Sequence, residues 1–206
     1  MAARIEKAVV SGVFSLDGQD FDVDNNVWLV GDDDEVLVID APHDAAPIVD
    51  AIGGRRVTAI VLTHGHNDHI TAAVALREAT GAGIWFNPED RMLWDQVYGA
   101  VHPSTAPDHE LAEGTAFDVA GTTLVAVATP GHSPGSTCLY AADLGTVFTG
   151  DTLFCGGPGA TGRSFSDHPT IVDSIRTRLL VLPGDTVVKT GHGDDTTIAA
   201  ETSNVS

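Results

Sequence analysis

The segment Thr63–His69 reads Thr-His-Gly-His-Asn-Asp-His and contains four side chains of the kinds that bind metal ions. Residues two apart in an extended segment point to the same side, so His64 and His66 can chelate one ion. Asp68 and His69 follow where a helix is expected to begin, and from there they can turn toward a second ion. Imidazole and carboxylate ligands together suit a borderline cation such as Zn²⁺.

Three later places in the chain share one pattern: an apolar strand leads to Thr, a Gly turn follows, and a ligand-type residue comes next. These places end at His132, Asp151 and His192. Ligands gather at the carboxyl ends of strands in layered α/β folds, and glycine lets the backbone turn sharply there. The combined imidazoles and carboxylates fit two Zn²⁺ ions, with Asp151 as a bridge between them. Iron or manganese at one or both positions is the alternative.

The composition argues against several classes of partner. Acidic residues number 29 against 10 lysines and arginines, which gives a formal net charge of −19. This charge repels phosphate backbones and anionic lipids, so neither nucleic acid nor a membrane is an expected partner. The 206-residue chain has two cysteines, too few for a disulfide framework, and its start lacks the apolar core of a signal peptide. We therefore expect a cytoplasmic protein, a monomer or small homo-oligomer.

The pattern of apolar residues predicts one domain of mixed α/β layers over residues 1–206. Strands are expected at residues 8–14, 26–30, 36–40, 57–62, 84–86, 115–119, 122–128, 137–141, 146–149 and 186–190. Helices are expected at residues 44–52, 68–80, 88–94 and 169–180. The turn residues Gly31–Asp34 predict a hairpin between the second and third strands. Residues 95–114 and 156–162 are expected to be loops, and the longer one is a candidate lid or binding loop.

With its four motifs combined, the chain resembles the metallo-β-lactamase superfamily. The resemblance covers nearly the whole sequence and implies an α/β fold, a four-layer αβ/βα sandwich with the metals at one edge between two β-sheets. It implies a first metal bound by His64, His66 and His132, a second bound by Asp68, His69 and His192, and Asp151 as the bridge. Asp40, at the end of its strand, resembles an early aspartate of the family that would orient a ligand histidine. A turn residue at a strand end is the alternative for Asp40.

Three runs look most like glyoxalase II and its small bacterial relatives: Thr129–Ser136, Phe148–Phe154 and Thr190–Ile198. That resemblance implies hydrolysis of a thioester, an S-acyl derivative of a small thiol, by a metal-bridging hydroxide. Asp68 would be catalytic, because it would hold the proton of that hydroxide and aim its lone pair. Full-length glyoxalase II carries a helical C-terminal domain that helps to bind glutathione. The chain ends at Ser206, so we expect that domain to be absent and the substrate pocket to come from elsewhere.

Two loops are candidates for the substrate pocket. The first is residues 95–114 with Trp94 and Tyr98 beside it, and the second is Gly156–Arg163. Arg163 is a candidate for binding a substrate carboxylate, with a structural salt bridge as the alternative. Core packing is the alternative for Trp94 and Tyr98.

Other functions are compatible with the same ligand motifs. A mononuclear iron persulfide dioxygenase shares the signature, but such proteins usually follow the bridging Asp with a Cys-Gly-Arg-x-Asp-Phe-like run. Here the corresponding stretch is Ala160–Phe165, which departs from that run in part. A lactonase is a further hydrolytic alternative. A scaffold without catalytic activity is the alternative that the intact ligand set favours least.

Overall fold

Continuous apolar runs such as residues 27–30 and 36–39 indicate strands that are buried on both faces. Alternate residues of a strand point to opposite sides. Val36 and Val38 accordingly pack among helix residues, while Leu37 and Ile39 pack among residues of a second sheet. These strands therefore lie in an inner layer of the fold.

The computed structural model describes residues 2–99, 102 and 104–205. Within them the first sheet contains, in spatial order, β1 (Arg4–Leu16), β2 (Gln19–Gly31), β3 (Glu35–Ile39), β4 (Arg56–Val61), β5 (Ile84–Phe86) and β6 (His109–Glu110). The second contains, in spatial order, β7 (Ala116–Val119), β8 (Thr122–Ala128), β9 (Thr137–Ala141), β10 (Thr146–Gly150), β13 (Val187–Thr190) and β14 (Thr196–Thr197). A small separate ribbon pairs β11 (Leu153–Phe154) with β12 (Gly157–Pro158).

The helices cover the outer faces of the two sheets. They are α1 (Ala45–Ile52), α2 (Asn67–Ile70), α3 (Ala73–Thr80), α4 (Arg91–Tyr98), α5 (His168–Ser174) and α6 (Ile198–Glu201). A π-helical turn, Ile175–Leu179, continues α5. Among the described residues, no helix is long and apolar enough to cross a membrane.

Three apolar clusters hold the layers together. Trp28, Leu37 and Phe148 belong to the cluster between the two sheets. A second cluster joins the outer face of the first sheet to α1, α3 and α4, and a third joins the outer face of the second sheet to α5. Burial of apolar side chains is the main favourable contribution to folding, and here it occurs at the three interfaces between neighbouring layers. The arrangement confirms the predicted four-layer α/β sandwich.

The hairpin of β1 and β2 is longer than the strands predicted at residues 8–14 and 26–30. The two strands pair from Arg4 opposite Gly31 to Leu16 opposite Gln19. Asp17 and Gly18 form the connection, with φ of 53° and 72°. A two-residue Asp-Gly turn with both φ values positive matches the twist of a hairpin. Residues 20–24, which lie outside the predicted strands, alternate acidic and apolar side chains along β2.

The predicted loop at residues 95–114 is wrong in part. Helix α4 continues through Tyr98, whose ring lies 4.5 Å from that of Trp94 one turn earlier, and Gly99 follows the helix. Strand β6 occupies two further positions, and residues 100, 101 and 103 lie outside the described residues. The predicted helix at residues 68–80 is also divided, into α2 and α3. Most other predicted elements are confirmed to within a few residues.

Gly131 provides a test of how closely α5 packs against the loop before His132. Its φ is 135°, and an added Cβ would lie 2.2 Å from the backbone nitrogen of Ile171. We expect Gly131→Ala to lower the free energy of unfolding by about 3 kcal/mol, because backbone strain and a clash with main chain add. Gly145 has a φ of 54° with nothing within 4 Å, so Gly145→Ala should cost about 1 kcal/mol. Chemical denaturation of both variants measures the difference, and equal losses would contradict the close packing.

Candidate metal centre

The ends of β4, β8, β10 and β13 meet at one edge of the sandwich. There the structure brings together every ligand-type residue of the four sequence motifs. They form three overlapping groups, within each of which the potential ligand atoms lie within 4.8 Å of one another. The groups are His64, His66 and His132; His64, His69 and Asp151; and Asp68, His69 and His192. The tertiary structure thus joins residues that are more than a hundred positions apart in the sequence.

The first group consists of three histidines around one point. His64 Nε2 lies 3.1 Å from His66 Nδ1, which in turn lies 2.9 Å from His132 Nε2. The His66 ring is nearly perpendicular to the other two, at 88° to His64 and 89° to His132. His66 points its Nδ1 to the common point, whereas His64 and His132 point their Nε2 atoms there.

The second group lies beside the first, and Asp151 contacts both. His69 Nε2 and His192 Nε2 are 3.2 Å apart, and Asp68 Oδ2 lies 3.3 Å from His192 Nε2. Asp151 Oδ2 lies 3.5 Å from His192 Nε2 and 3.6 Å from His132 Nε2. One carboxylate thus faces a histidine of each group, which is the position that a bridging ligand requires.

Four of the histidines are oriented by hydrogen bonds on their outer side. Nδ1 of His132 donates to the carbonyl oxygen of Ala160 at 2.9 Å, and Nδ1 of His192 donates to that of Asp24 at 2.8 Å. Because a carbonyl can only accept, each of these Nδ1 atoms carries the ring proton. In the same way, Nδ1 of His64 contacts Thr63 Oγ1 and Nδ1 of His69 contacts Asp40 Oδ2. The unprotonated Nε2 atoms of neutral rings therefore point inward.

The inward atoms fit a bound cation. When the rings are neutral, the unprotonated Nε2 atoms of His64 and His132 both face His66 Nδ1, at 3.1 and 2.9 Å. Oδ1 of Asp68 and Oδ1 of Asp151 are buried and have no hydrogen-bond partner among the described residues. Buried polar atoms without partners are costly, and converging lone pairs repel one another. Metal ions at the two groups would satisfy both sets of atoms.

The two groups differ in their affinity for protons. Burial holds the pKa of His64 well below its usual range and lowers the pKa of His66 to about 3. Burial also disfavours charge at His69 and His192, but neighbouring carboxylates, Asp151 foremost, outweigh it there. They raise the pKa of His192 to about 10 and that of His69 well above its usual value. His64 and His66 therefore stay neutral in the metal-free chain, while His69 and His192 attract protons.

Asp40 occupies the supporting position that the sequence predicted for it. Its carboxylate accepts hydrogen bonds from the main-chain N–H and the hydroxyl of Thr63, at 2.8 and 2.9 Å, and from Nδ1–H of His69. Its φ is 64°, in the left-handed region that residues other than glycine rarely adopt. Strained backbone persists where surrounding contacts hold it, and it is frequent at functional sites.

Asn25 belongs to the site although its sequence position did not predict it. It is fully buried on β2, and its Nδ2 lies 3.1 Å from Asp68 Oδ2 and 3.3 Å from His69 Nε2. His43 Nε2 donates to Asn25 Oδ1 at 2.8 Å, which turns the amide nitrogen toward the ligands. Asn is uncommon in strands, so the Asn25–Asn26 pair inside an apolar strand was an available signal.

Asp90 is a second residue that sequence analysis missed. It is buried and accepts hydrogen bonds from the main-chain N–H groups of Gly65 and Gly135 and from the hydroxyl of Ser133. One carboxylate thus joins the loop of the first motif to the loop that carries His132. Its place just before α4 resembles an ordinary acidic helix start, so the sequence offered no signal for it.

A cavity of about 390 Å³ opens beside the cluster. Besides ligand-type residues, its described lining consists of Phe14, Val23, Asp24, Phe154 and Ala160. A smaller cavity next to it is lined in part by Arg163, as the sequence suggested for that residue. The structure therefore places an apolar, open space against the converging ligand atoms.

Trp94 and Tyr98 are not brought to this cavity, which corrects their interpretation as substrate residues. Trp94 is 1% exposed and packs in the cluster between the first sheet and its helices. The hydroxyl of Tyr98 donates to the carbonyl oxygens of Ile70 and Thr71. Both rings instead anchor α4 against the segment that carries the first ligand motif.

Comparison with known proteins agrees with this geometry. A family model described as the metallo-beta-lactamase superfamily matches residues 21–192. The hydroxyacylglutathione hydrolase GloC of Haemophilus influenzae is 34% identical over 188 residues, which cover 85% of this chain and 89% of that protein.

Solved structures show the same likeness. The BLEG-1 B3 metallo-beta-lactamase has a TM-score of 0.79 and 28% identity, covering 95% of this chain and 98% of that chain. TTHA1623 in a di-iron-bound form has a TM-score of 0.76 and 30% identity, covering 88% of this chain and 94% of that chain. The family match spans both the first and the last ligand motifs, and it confirms the resemblance noted in the sequence. The chain belongs to the metallo-β-lactamase superfamily.

Proposed function

We propose that this protein is a two-metal hydrolase that cleaves thioesters. The observation that carries the proposal is the pairing of two ligand groups with a cavity whose described lining, apart from the ligand-type residues, offers no proton donor for the leaving group. His64, His66 and His132 would hold one metal and Asp68, His69 and His192 the other, with Asp151 between them. Zn²⁺ suits this donor set, and iron is the main alternative because a similar structure was solved in a di-iron-bound form.

Asp68 is the residue to which we assign the attacking water. Bound divalent ions at such a site lower the pKa of water toward neutrality and polarise a carbonyl group. Asp68 Oδ2 is held by Asn25 Nδ2, whereas Asp68 Oδ1 is buried without a hydrogen-bond partner in the described chain. Oδ1 can therefore accept the proton of a water and fix the direction of its lone pair.

The cavity lining favours a leaving group that departs without a proton. Apart from the ligand-type residues, the described side chains that line it include one titratable group, Asp24. That carboxylate is exposed and accepts a hydrogen bond from the hydroxyl of Ser11. A thiol has a pKa of about 8.5, so a thiolate leaves readily, whereas an alkoxide is about as basic as hydroxide. This difference supports a thioester over a lactone, and the relative named hydroxyacylglutathione hydrolase supports it further.

Metal analysis combined with a substrate panel tests the proposal. We expect about two divalent ions per chain and hydrolysis of a simple S-acetyl thioester, lost on chelation and restored by Zn²⁺ or Fe²⁺. Asp68→Asn should lower kcat by about 10²- to 10⁴-fold, because it removes the proton acceptor. Asp50→Asn, an exposed substitution on α1, serves as the control. One iron per chain with oxygen consumption on a persulfide would instead establish the dioxygenase, and preferential lactone hydrolysis the lactonase.

The unequal proton affinities predict that the second group loses its metal first on acidification. His192, with a pKa of about 10, is protonated at neutral pH in the metal-free chain, so metal binding must release at least one proton. Below that pKa each unit of pH should lower the apparent affinity of this group by about tenfold for each proton released. His66, with a pKa of about 3, imposes no such competition on the first group. Calorimetric titration at pH 8 and pH 6, in buffers of different ionisation enthalpy, measures both effects. Simultaneous loss of both metals would contradict the prediction.

Asp40→Asn tests the support of the second group. An amide accepts on one atom only, so Asp40→Asn loses either the bond from the Thr63 N–H to Oδ1 or the two bonds to Oδ2, from the Thr63 hydroxyl and His69 Nδ1. We expect metal affinity at the second group to fall by about 10- to 100-fold, as is typical when the partner of a ligand histidine is changed. The exposed Asp50→Asn on α1 should leave the affinity unchanged. An unaltered affinity in Asp40→Asn would show that His69 needs no such support.

A further inference from the structure

We propose that the thiol part of the substrate carries no negative charge. This inference rests on the proposed thioester hydrolysis and goes further by naming the charge of the thiol. Its basis is the distribution of charged and apolar side chains on the β1–β2 hairpin, together with the content of the cavity that this hairpin covers.

One face of the hairpin lies over the ligand cluster and is mostly apolar. Paired residues share a face, and the pairs here are Phe14 with Phe21 and Gly12 with Val23. Asn25 lies on the same face two residues beyond Val23, and it contacts the ligands directly. The ring of Phe14 lies 5.3 Å from that of His66, in an edge contact. The wall nearest to the reacting bond therefore consists of aromatic and aliphatic groups.

The opposite face of the same hairpin is acidic. Asp20, Asp22 and Asp24 alternate with the apolar residues of β2, and all three are exposed. Ser15 donates to Asp20 at 2.7 Å and Ser11 donates to Asp24 at 2.6 Å, which places these side chains on one surface. The hairpin thus places a row of carboxylates beside the cavity, and Asp24 is also among the residues that line it.

Apart from the ligand-type histidines, Arg163 is the one cationic side chain among the described residues that line the two cavities. Its guanidinium lies 4.9 Å from the centre of the Phe21 ring and donates to Gln19 Oε1 at 3.0 Å. The carboxylate of Asp17 is nearby, since it accepts from the main-chain N–H of the next residue, Ser164, at 3.0 Å. The charge of Arg163 is therefore already opposed by a carboxylate at the hairpin turn.

An anionic thiol group would meet an unfavourable field at this entrance. Outside the metal centre, whose cations would act on the reacting carbonyl, the carboxylates of glutathione or the phosphates of coenzyme A would approach one opposed cation and a row of aspartates. In water, a unit charge about 10 Å from a charged group of the substrate changes the equilibrium constant for binding by roughly twofold. The net charge of −19 adds a long-range repulsion that slows the encounter. Uncharged thiol groups avoid both effects and fit the apolar wall.

A pair of substrates that differ in one charge tests the inference. S-acetylglutathione has a net charge of −1, and its glycyl monoethyl ester has the same skeleton without that charge. With the metal-loaded protein at low ionic strength, we expect kcat/KM to be about fivefold or more higher for the ester. The ratio should shrink toward unity as salt is raised, because salt screens exposed charges. S-acetyl-N-acetylcysteamine provides a small uncharged reference thioester.

A matched pair of double variants isolates the hairpin. Asp20→Asn with Asp22→Asn removes two charges from its acidic face, and Asp50→Asn with Glu78→Gln removes two exposed charges from α1 and α3. The first pair should raise kcat/KM for S-acetylglutathione by about fourfold and leave that for the ester unchanged. The second pair should alter both substrates much less.

The outcomes separate this inference from the proposed function. Faster hydrolysis of S-acetylglutathione than of its ester, with the reference thioester also cleaved, would overturn the charge preference and leave the thioesterase intact. A salt-independent ratio, or an equal response to both double variants, would likewise overturn the role of the hairpin charges. Absence of hydrolysis of all three thioesters would overturn the proposed function and this inference with it.

Discussion

Electrostatic repulsion among the side chains of the metal centre is the constraint on which the rest of the structure depends. Five imidazoles and two carboxylates form three overlapping groups, and most of these side chains are buried. Within each group the potential ligand atoms lie within 4.8 Å of one another. In the absence of a cation, lone pairs and negative charges at such separations repel one another. The ligands stay in place because acceptors on their outer side hold them, among them the carbonyl oxygens of Asp24 and Ala160. Those acceptors belong to strands and loops that the apolar core already fixes.

The β1–β2 hairpin links the core to the chemistry. At its inner end Val27 and Leu29 belong to the apolar core, and Asn25 holds Asp68. Farther out the strands cover the cluster, and Asn67 binds the main chain at Ser15 to keep them there. One supersecondary element therefore supplies a core strand, a hydrogen bond to a ligand and a wall of the cavity. A change in its register would turn its apolar residues away from the cavity, because successive side chains alternate.

Strained or closely packed backbone occurs beside the ligand-type residues. Asp40 has a positive φ and accepts three hydrogen bonds, while Gly131 and Gly191 occupy places where a Cβ would collide with neighbouring atoms. An added Cβ at Gly191 would lie 2.2 Å from Asp151 Oδ1, so the backbone itself closes one side of the centre. Such positions persist only where surrounding contacts fix them. The dense packing of three apolar clusters supplies those contacts.

The sequence alone predicted the candidate ligand residues, the four-layer fold and most element positions. Local patterns contain this information: His64 and His66 share a side because they are two apart, and buried strands appear as apolar runs. Tertiary structure decided what local patterns do not contain. Asn25 and Asp90 act through partners more than 20 positions away, and the roles of Trp94 and Tyr98 depended on which side of α4 faces the core. The charge around the cavity depended on which face of the β1–β2 hairpin lies over the candidate metal centre. The alternation of acidic and apolar residues in the sequence does not determine that face. That orientation is fixed only when the second sheet and its ligands pack against the first.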